Sequence, residues 1–517
     1  MIILVHDFYK LKKIEGVSEV EYKIITQEVS IAKSIYLLAS NYPSEVIVWC
    51  NESYYSKLNR AFIENAFLHN RYMCSYNPMG NFFSDAIGYI EESPFININK
   101  QVCYPTWQMS SVVGAMQSST ILLLSKSYWG ISSNLDYVLN TVAKLYQPLG
   151  LFCYSEPMLL VDSKFQIDYP KATSKELFSF VAQQYKRVWK HFLLFCFFIF
   201  EKRFCFLSWL LSLFQSQLKP QKETIVFEQP QKTIDWELET IDVIIPTIGR
   251  KKYLYDVLKD LSVQTHLPKN VIIVEQNPLQ DSESELDYIH NEVWPFQIKH
   301  IFTHTAGACN ARNLALNLVT SDWVFLNDDD NRFPPDLIER ILQFGITMNQ
   351  VALTTSYIQS HEKQKDNKIV QWPTFGAGNS FIKTFLLSDV KFNMGYEFGY
   401  GEDADFGMQI RNKGYDVIYL PEPAILHLKA PMGGFRTKPK LDWHEEQIAP
   451  KPSPTVMLFA LLHKTEQQVL GYKTTLFFKY YRLQSIKNPF AYYKMFQKQW
   501  EVSVKWAKLL KERKNKK

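Results

Sequence analysis

Three consecutive aspartates, Asp328, Asp329 and Asp330, close the apolar run Trp323 to Leu326 in the segment SDWVFLNDDDNRF. Adjacent like charges repel, so folding alone gives little reason to gather them at the end of a buried strand. A divalent cation with hard oxygen ligands would relieve that repulsion and could itself hold a phosphate. The bland alternative is a solvated acidic turn ahead of Pro334-Pro335, which start the next helix. A second acidic group, Glu402, Asp403 and Asp405, lies in GYGEDADFGMQIRNKGYDV at a helix start, with Gly414 at the helix end. Acids there complement the helix dipole without any chemistry. In a domain that already holds Asp328 to Asp330 they are also functional candidates. His427, in AILHLKAPMGGFR, follows a short strand near these carboxylates and is either structural or the completing ligand of a metal site. Arg312, in the first helical turn of GACNARNLAL, could reach a phosphate, brace the acidic turn, or sit as a surface charge.

The elements that must position these residues alternate in the manner of βαβ units. Strands are expected at Ile241 to Ile245, Asn270 to Val274, Gln297 to Phe302 and Trp323 to Leu326. Helices are expected at Lys252 to Gln264, Gly307 to Val319 and Pro335 to Met348. Such a doubly wound sheet binds ligands beyond its strand ends. Pro246-Thr247 ends the first strand and Glu275 the second, where an acid could accept a hydrogen bond from a base or ribose or be a solvated loop residue. WPTFGAGNSF (372–381) carries Gly376 and Gly378 between apolar residues, suited to a tight pass beneath a sugar.

Taken in order, PTIGR (246–250), VEQNP (274–278), GACNARNLAL (307–316), LNDDDN (326–331), GAGNSF (376–381), GYGEDADFGMQIRNKGY (399–415) and ILH (425–427) resemble a family 2 glycosyltransferase with the GT-A fold, a Rossmann-like sheet, over residues 240–436. The resemblance implies inverting transfer of a sugar from a nucleotide-diphosphate sugar, a UDP-sugar foremost, to a hydroxyl on a glycan or lipid-linked acceptor. It implies that Pro246, Thr247 and Glu275 line the nucleoside pocket, with Arg250, Arg312, Asp329 and Gly378 also on the donor side. Asp328 and Asp330 would hold a divalent cation (Mn2+ or Mg2+) and the diphosphate, with His427 as a further metal ligand. Asp403 would be the catalytic base, and Glu402 would orient acceptor or donor. Two departures stand out: Asn327 where the family often has Asp, and Glu275 in place of the commoner Asp. Cell-surface glycan or polysaccharide synthesis is the setting this implies. The rivals are a sugar nucleotidyltransferase, which would want a glycine-rich basic loop where PTIGRKK has one glycine, and an inactive sugar-binding or scaffold protein.

The remaining chain frames this domain. At 517 residues two or three domains are expected. The division reads as 1–175, a separate α/β domain; 176–239, an apolar helical segment and linker; 240–445, the catalytic domain; and 446–517, a basic aromatic helical tail. In the first domain Ile2 to Val5, Glu45 to Trp49 and Thr120 to Leu124 read as strands, and Glu19 to Ser40 and Leu135 to Tyr146 as helices. It shows no acidic cluster at a strand end and no phosphate-binding glycine loop; a degenerate glycosyltransferase-like unit is one reading of it. Trp107, Gln108 and Met109 read as interior packing. His191 to Phe214 is strongly apolar but broken by Glu201-Lys202-Arg203, too short on each side to span a bilayer. A hairpin in the membrane interface and a helix pair packed between domains both fit it. Lys219 to Glu239 reads as a linker. From Lys464 onward fourteen Lys or Arg stand against three Glu, a net +11 within a chain total of +5. With no nucleic-acid motif present, that asymmetry points to an anionic membrane surface. Trp500, Val504 and Leu509 are expected to share one face, either an interfacial anchor or a cap on the catalytic domain. Seven scattered cysteines without a Cys-x-x-Cys pair, and no signal peptide after Met1, fit a cytoplasmic protein with peripheral membrane contact.

Overall fold

The structure is a computed structural model and describes residues 1–25, 30–164, 166–220, 236–359, 367–431 and 440–513. Most of the expected linker therefore lies outside the described residues, as do residues 432–436 at the end of the expected GT-A stretch. The chain is mixed α/β and divides into two compact units, Met1–Gln231 with Thr465–Tyr472, and Lys232–Lys464 with Lys473–Lys517.

In the first unit the described strands are β1 (Ile2–His6), β2 (Leu11–Glu15), β3 (Val46–Asn51), β4 (Tyr72–Tyr76), β5 (Tyr104–Pro105), β6 (Val113–Gln117) and β7 (Phe152–Ser155), in the order β2-β1-β3-β6-β4-β7-β5. The helix Leu135–Tyr146 falls where the sequence puts it. Thr120 to Leu124 does not: Ser118–Leu123 is a helix. A four-residue apolar run carries no period, so its sequence cannot separate a buried strand from a buried helical turn. Trp107, Gln108 and Met109 are buried.

The second unit carries β8 (Ile241–Thr247), β9 (Asn270–Gln276), β10 (Gln297–Thr303), β11 (Trp323–Asn327), β12 (Asn331–Arg332), β13 (Ala352–Gln359), β14 (Val370–Gln371), β15 (Asn379–Lys383) and β16 (Ile418–His427). Among the described residues their order is β10-β9-β8-β11-β15-β13-β16-β12, with β14 paired to β16. Every residue of β9 and β11 is buried, as expected of strands covered on both faces. The helix Lys251–Ser262 buries Leu254, Val257, Leu258 and Leu261, one helical stripe. The helix Leu337–Thr347 does the same with Leu337, Ile338, Ile341 and Leu342. Strand order reverses between β8 and β11, which opens a crevice at their C-terminal ends.

The two sheets share a plan. β1, β3, β4, β5, β6 and β7 pair with one another in the same order and directions as β8, β11, β13, β14, β15 and β16. First with second is parallel, second with fifth and fifth with third antiparallel, third with sixth parallel, and sixth with fourth antiparallel. Among the described residues β9 and β10 have no parallel counterpart in the first unit, where β2 pairs with β1 antiparallel instead.

The tail belongs largely to the second unit. His463, at the end of the helix Pro454–His463, lies 2.7 Å from Asp405 of the helix Glu402–Asn412. The long helix Pro489–Arg513 buries Tyr492, Phe496, Trp500, Ser503, Ala507 and Leu510. Leu509 is not on that face and is 39% exposed. Nine residues at 100° each place it opposite Trp500, so the expected face was drawn one residue out of phase.

Candidate functional site

The crevice between β8 and β11 is a cavity of about 540 Å³. Pro246 and Thr247 enter it from the end of β8, Asp328 to Asp330 from the turn after β11, and Cys309 and Arg312 from the helix Ala308–Leu316. Gly376 to Asn379 lead into β15, Glu402 and Asp403 open the helix Glu402–Asn412, and His427 ends β16. Twelve of the residues singled out in the sequence thus line one cavity: Pro246, Thr247, Arg250, Arg312, Asp328, Asp329, Asp330, Gly376, Gly378, Glu402, Asp403 and His427. Glu275 is not among them. Its carboxylate accepts from Ser284 Oγ (2.5 Å) and Glu285 N (3.0 Å) and lies 3.0 Å from His300 Nε2, so it ties down the loop after β9.

The repulsion within the acidic turn is met mostly by the chain itself, with Arg312 and Tyr357 at Asp328 and Arg250 shared by Asp329 and Asp330. Asp328 accepts from Arg312 Nη2 at 3.0 Å and from the Tyr357 hydroxyl at 3.0 Å. Asp329, buried, accepts from Thr247 Oγ1 and Arg250 Nη1, both at 2.6 Å. Burial still pushes its carboxyl up to about 6, against the pull of Arg250 and Thr247. Asp330 accepts from Ala430 N at 2.8 Å and has Arg250 at 3.3 Å. Burial alone would raise its pKa; His427, the Ala430 N–H and Arg250 more than offset this and hold it below the ordinary carboxylate range. Arg312 therefore braces the turn, one of the roles its sequence position allowed.

One buried atom of the turn is left over. Among the described residues Asp330 Oδ1 accepts no hydrogen bond, and His427 Nε2 stands 3.4 Å from it. The His427 ring is held flat against Tyr357, with centroids 4.6 Å apart and planes 11° from parallel. An orphaned carboxylate oxygen beside an imidazole nitrogen is a donor pair that suits Mn2+ or Mg2+. Asp328, by contrast, has both oxygens engaged, and among the described residues no three His, Cys, Asp or Glu side chains form a ready metal cluster.

The Asp403 carboxylate reaches into the cavity from the second position of its helix. Its Oδ1 accepts from Ala377 N at 3.1 Å, and its own carbonyl accepts from Phe375 N at 3.0 Å, so the 375–377 backbone fixes the side chain. Burial is the largest influence on it and pushes the carboxyl up to about 7; the charge of Glu402 adds to the rise and Arg312 opposes it. Glu402 is raised too, again chiefly by burial. Gly378 acts on the acidic turn directly: a Cβ there would stand 2.2 Å from Asp328 Oδ2, so only glycine lets that carboxylate lie where Arg312 and Tyr357 hold it. Residues outside the motifs also line the cavity, including Tyr357 and Glu397. Glu397 receives Cys309 N (3.2 Å) and Asn310 N (2.8 Å) and so caps the helix that carries Arg312. An acid set among glycines and aromatics in GYEFGYG was the only signal for it.

The first unit has a counterpart of Asp403. Asp136 is the second residue of the helix leading into β7, as Asp403 is of the helix leading into β16. Asp136 Oδ1 accepts from Ser111 N (2.8 Å), two residues before β6, as Asp403 accepts from Ala377 N, two residues before β15. Its surroundings are closed. Ser111 Oγ and the Tyr169 hydroxyl each donate to it at 2.6 Å, and it is 2% exposed. The turn after β3 reads Glu52-Ser53-Tyr54 where the second unit has three aspartates.

Residues 242–402 match the family model described as "Glycosyl transferase family 2". An uncharacterized glycosyltransferase of Rickettsia conorii is 30% identical over 141 residues, 27% of this chain and 23% of the relative. One from Haemophilus influenzae is 30% identical over 104 residues, 20% of this chain and 33% of the relative. The chain thus spans a third or less of the length of these curated relatives. Among solved structures, S. aureus TarS 1-349 in complex with UDP-GlcNAc is 15% identical, with 45% of this chain and 70% of that chain covered at a TM-score of 0.33.

Proposed function

We propose that the family 2 glycosyltransferase domain in the C-terminal half of this chain transfers a sugar from a nucleotide-diphosphate donor, a UDP-sugar foremost, to a hydroxyl of a glycan or lipid-linked acceptor, with inversion. The observation that carries the proposal is that Asp403 and the Asp328–Asp330 turn line the same cavity. A sugar hydroxyl is a poor nucleophile, and a carboxylate whose pKa lies near neutrality is matched to taking its proton as it attacks the anomeric carbon. The Ala377 N–H holds that carboxylate in place, and Arg312 offsets the charge it gains on ionising. At the acidic turn Asp330 and His427, with Asp328 beside them, would hold a divalent cation. Bound there, that ion supplies Lewis-acid stabilisation of the departing nucleoside diphosphate. Single displacement by an acceptor on the face opposite the leaving group gives inversion without a covalent nucleophile. The first unit reads as a second copy of the same fold, retired from chemistry by closure over Asp136 and loss of the acidic turn. Cell-surface glycan assembly is the setting we propose for the reaction.

The test is a panel of nucleotide sugars incubated with the full chain, with and without Mn2+, and assayed for the phosphate product. Release of nucleoside diphosphate supports transfer. Pyrophosphate released in a parallel incubation with nucleoside triphosphates and sugar 1-phosphates would instead identify a nucleotidyltransferase, and release of neither would leave a sugar-binding protein.

A further inference from the structure

The helix Phe206–Ser212 in the first unit is turned inside out. Leu207, Leu210, Leu211 and Phe214 fall at the spacing of a single helical stripe, the face a surface helix ordinarily buries, yet they are 68%, 36%, 39% and 81% exposed. They continue onto the partner arm of a hairpin. The helix Val188–Cys196 runs into one π-helical turn, Phe197–Glu201, and the chain reverses at Lys202 in the left-handed conformation. Phe198, Phe204 and Phe206 add further exposed rings around the tip. The inner face of the hairpin is packed. Leu193, Cys196 and Phe197 are buried, Phe200 stacks on Tyr89, and Lys190 Nζ crosses to Ser212 O at 3.1 Å to tie the arms together. A contiguous apolar surface of this kind marks an interaction site.

Its rim identifies the occupant. From Lys186 to Lys219 the sequence holds Lys186, Arg187, Lys190, Lys202, Arg203 and Lys219 against one acid, Glu201. That acid is turned inward to the Tyr89 hydroxyl at 2.7 Å. Lys186, Arg187, Lys202 and Arg203 are exposed at the two ends of the longer arm. Phenylalanine and leucine bordered by exposed Lys and Arg are the composition that inserts into the headgroup boundary of an anionic bilayer, the bases reaching phosphates while the rings enter the acyl region. Among the described residues no helix is long and apolar enough to cross a membrane, which fits an element that lies in the interface.

We propose that the Val188–Phe214 hairpin docks the chain on an anionic lipid surface, with Leu207, Leu210, Leu211 and Phe214 inserted and the flanking Lys and Arg on the headgroups. The proposal rests on the hairpin alone and stands whatever the second unit does. The experiment is sedimentation of the full chain with phosphatidylcholine vesicles and with vesicles that also contain phosphatidylglycerol. Binding is expected to the second kind and to weaken with added salt. The double variant Leu207→Glu/Phe214→Glu should lower the vesicle partition coefficient by about tenfold or more. Lys186→Glu/Arg187→Glu should remove the preference for phosphatidylglycerol. All four side chains are exposed, so both variants should keep the thermal melting of the parent chain, which controls for misfolding. Unchanged binding of the Leu207/Phe214 variant would place the anchor elsewhere, the basic C-terminal helices included, and overturn the proposal. Failure of the parent chain to bind phosphatidylglycerol vesicles, with a concentration-dependent dimer that the same variant abolishes, would assign the face to a second copy of the chain and also overturn it.

Discussion

Replacing Asp403 by Asn separates its chemical contribution from its structural one. In the folded protein the carboxyl is pushed up to about 7 from an ordinary 3.8, chiefly by burial and then by the charge of Glu402. A raised folded-state pKa means that the folded protein holds the proton more tightly than the unfolded chain. Stability from this group therefore falls as pH rises from 3.8 toward about 7, and stays lower above that. At 1.36 kcal/mol per pKa unit the loss is on the order of 4 kcal/mol at most, shared with Glu402 because the two charges interact. Asn is neutral at every pH and its amide oxygen can still accept from Ala377 N, so the variant should melt no lower than the parent at pH 8 and lose part of the parent's fall in stability between pH 5 and 8. Catalysis should move the other way. A positioned general base contributes about 10²–10⁴-fold, so kcat should drop by that factor while donor affinity stays near the parent value. The parent's kcat should rise with pH through about 7, because the base works only when ionised, and the variant's residual rate should lack that inflection. The assay is nucleoside diphosphate release against pH, paired with calorimetric melting and donor titration. Turnover within about tenfold of the parent, or a parent profile flat through neutrality, would remove Asp403 from the proton-transfer step.

Asp330→Ala removes the oxygen that no protein donor satisfies, so donor affinity measured calorimetrically in Mn2+ should fall by about tenfold (~1.4 kcal/mol); affinity unchanged with and without the ion would take Asp330 out of the metal site. Gly378→Ala puts a Cβ 2.2 Å from Asp328 Oδ2 and must push that carboxylate off Arg312 and Tyr357. Overpacking of this kind costs about 1–3 kcal/mol, so melting should drop and donor KM should rise together; a variant matching the parent in both would show that Asp328 need not hold its position. Asp136→Asn, the same change in the first unit, should leave transfer untouched, and a loss comparable to that of Asp403→Asn would mean the first unit is not retired.

The second unit was legible because its strands are short, rich in apolar residues and bounded by turn residues. Ile241, Asn270, Gln297 and Trp323 begin the observed strands as they begin the expected ones. The first unit was harder for a local reason. β6 contains Gly114, which in sequence argues against a strand, yet a Cβ there would stand 2.3 Å from the Trp49 ring, so the glycine is what lets β3 and β6 pack. That the first unit is a degenerate glycosyltransferase-like unit was one reading of the sequence; the shared plan itself lies in pairing directions, with Asp136 and Asp403 at a matching position.

Within the site, sequence located the acids and left open whether a cation or a solvated turn meets their charges. In the fold they diverge, Asp328 to Arg312 and Tyr357, Asp329 to Thr247 and Arg250, and Asp330 to the Ala430 N–H and His427. Tyr357 is the residue that could not have been foreseen, since in ALTTSYIQ it is one more strand position; only the pairing of β13 with β16 brings it against His427. Arg312 and Arg250 thus offset the charge of the turn directly, and the place for a cation narrows from three carboxylates to the oxygen of Asp330 that, among the described residues, accepts no hydrogen bond. If that is right, loss of Arg312 and loss of the ion are not equivalent. The first should unsettle the turn whether or not a donor is present, and the second should be felt only when a diphosphate arrives.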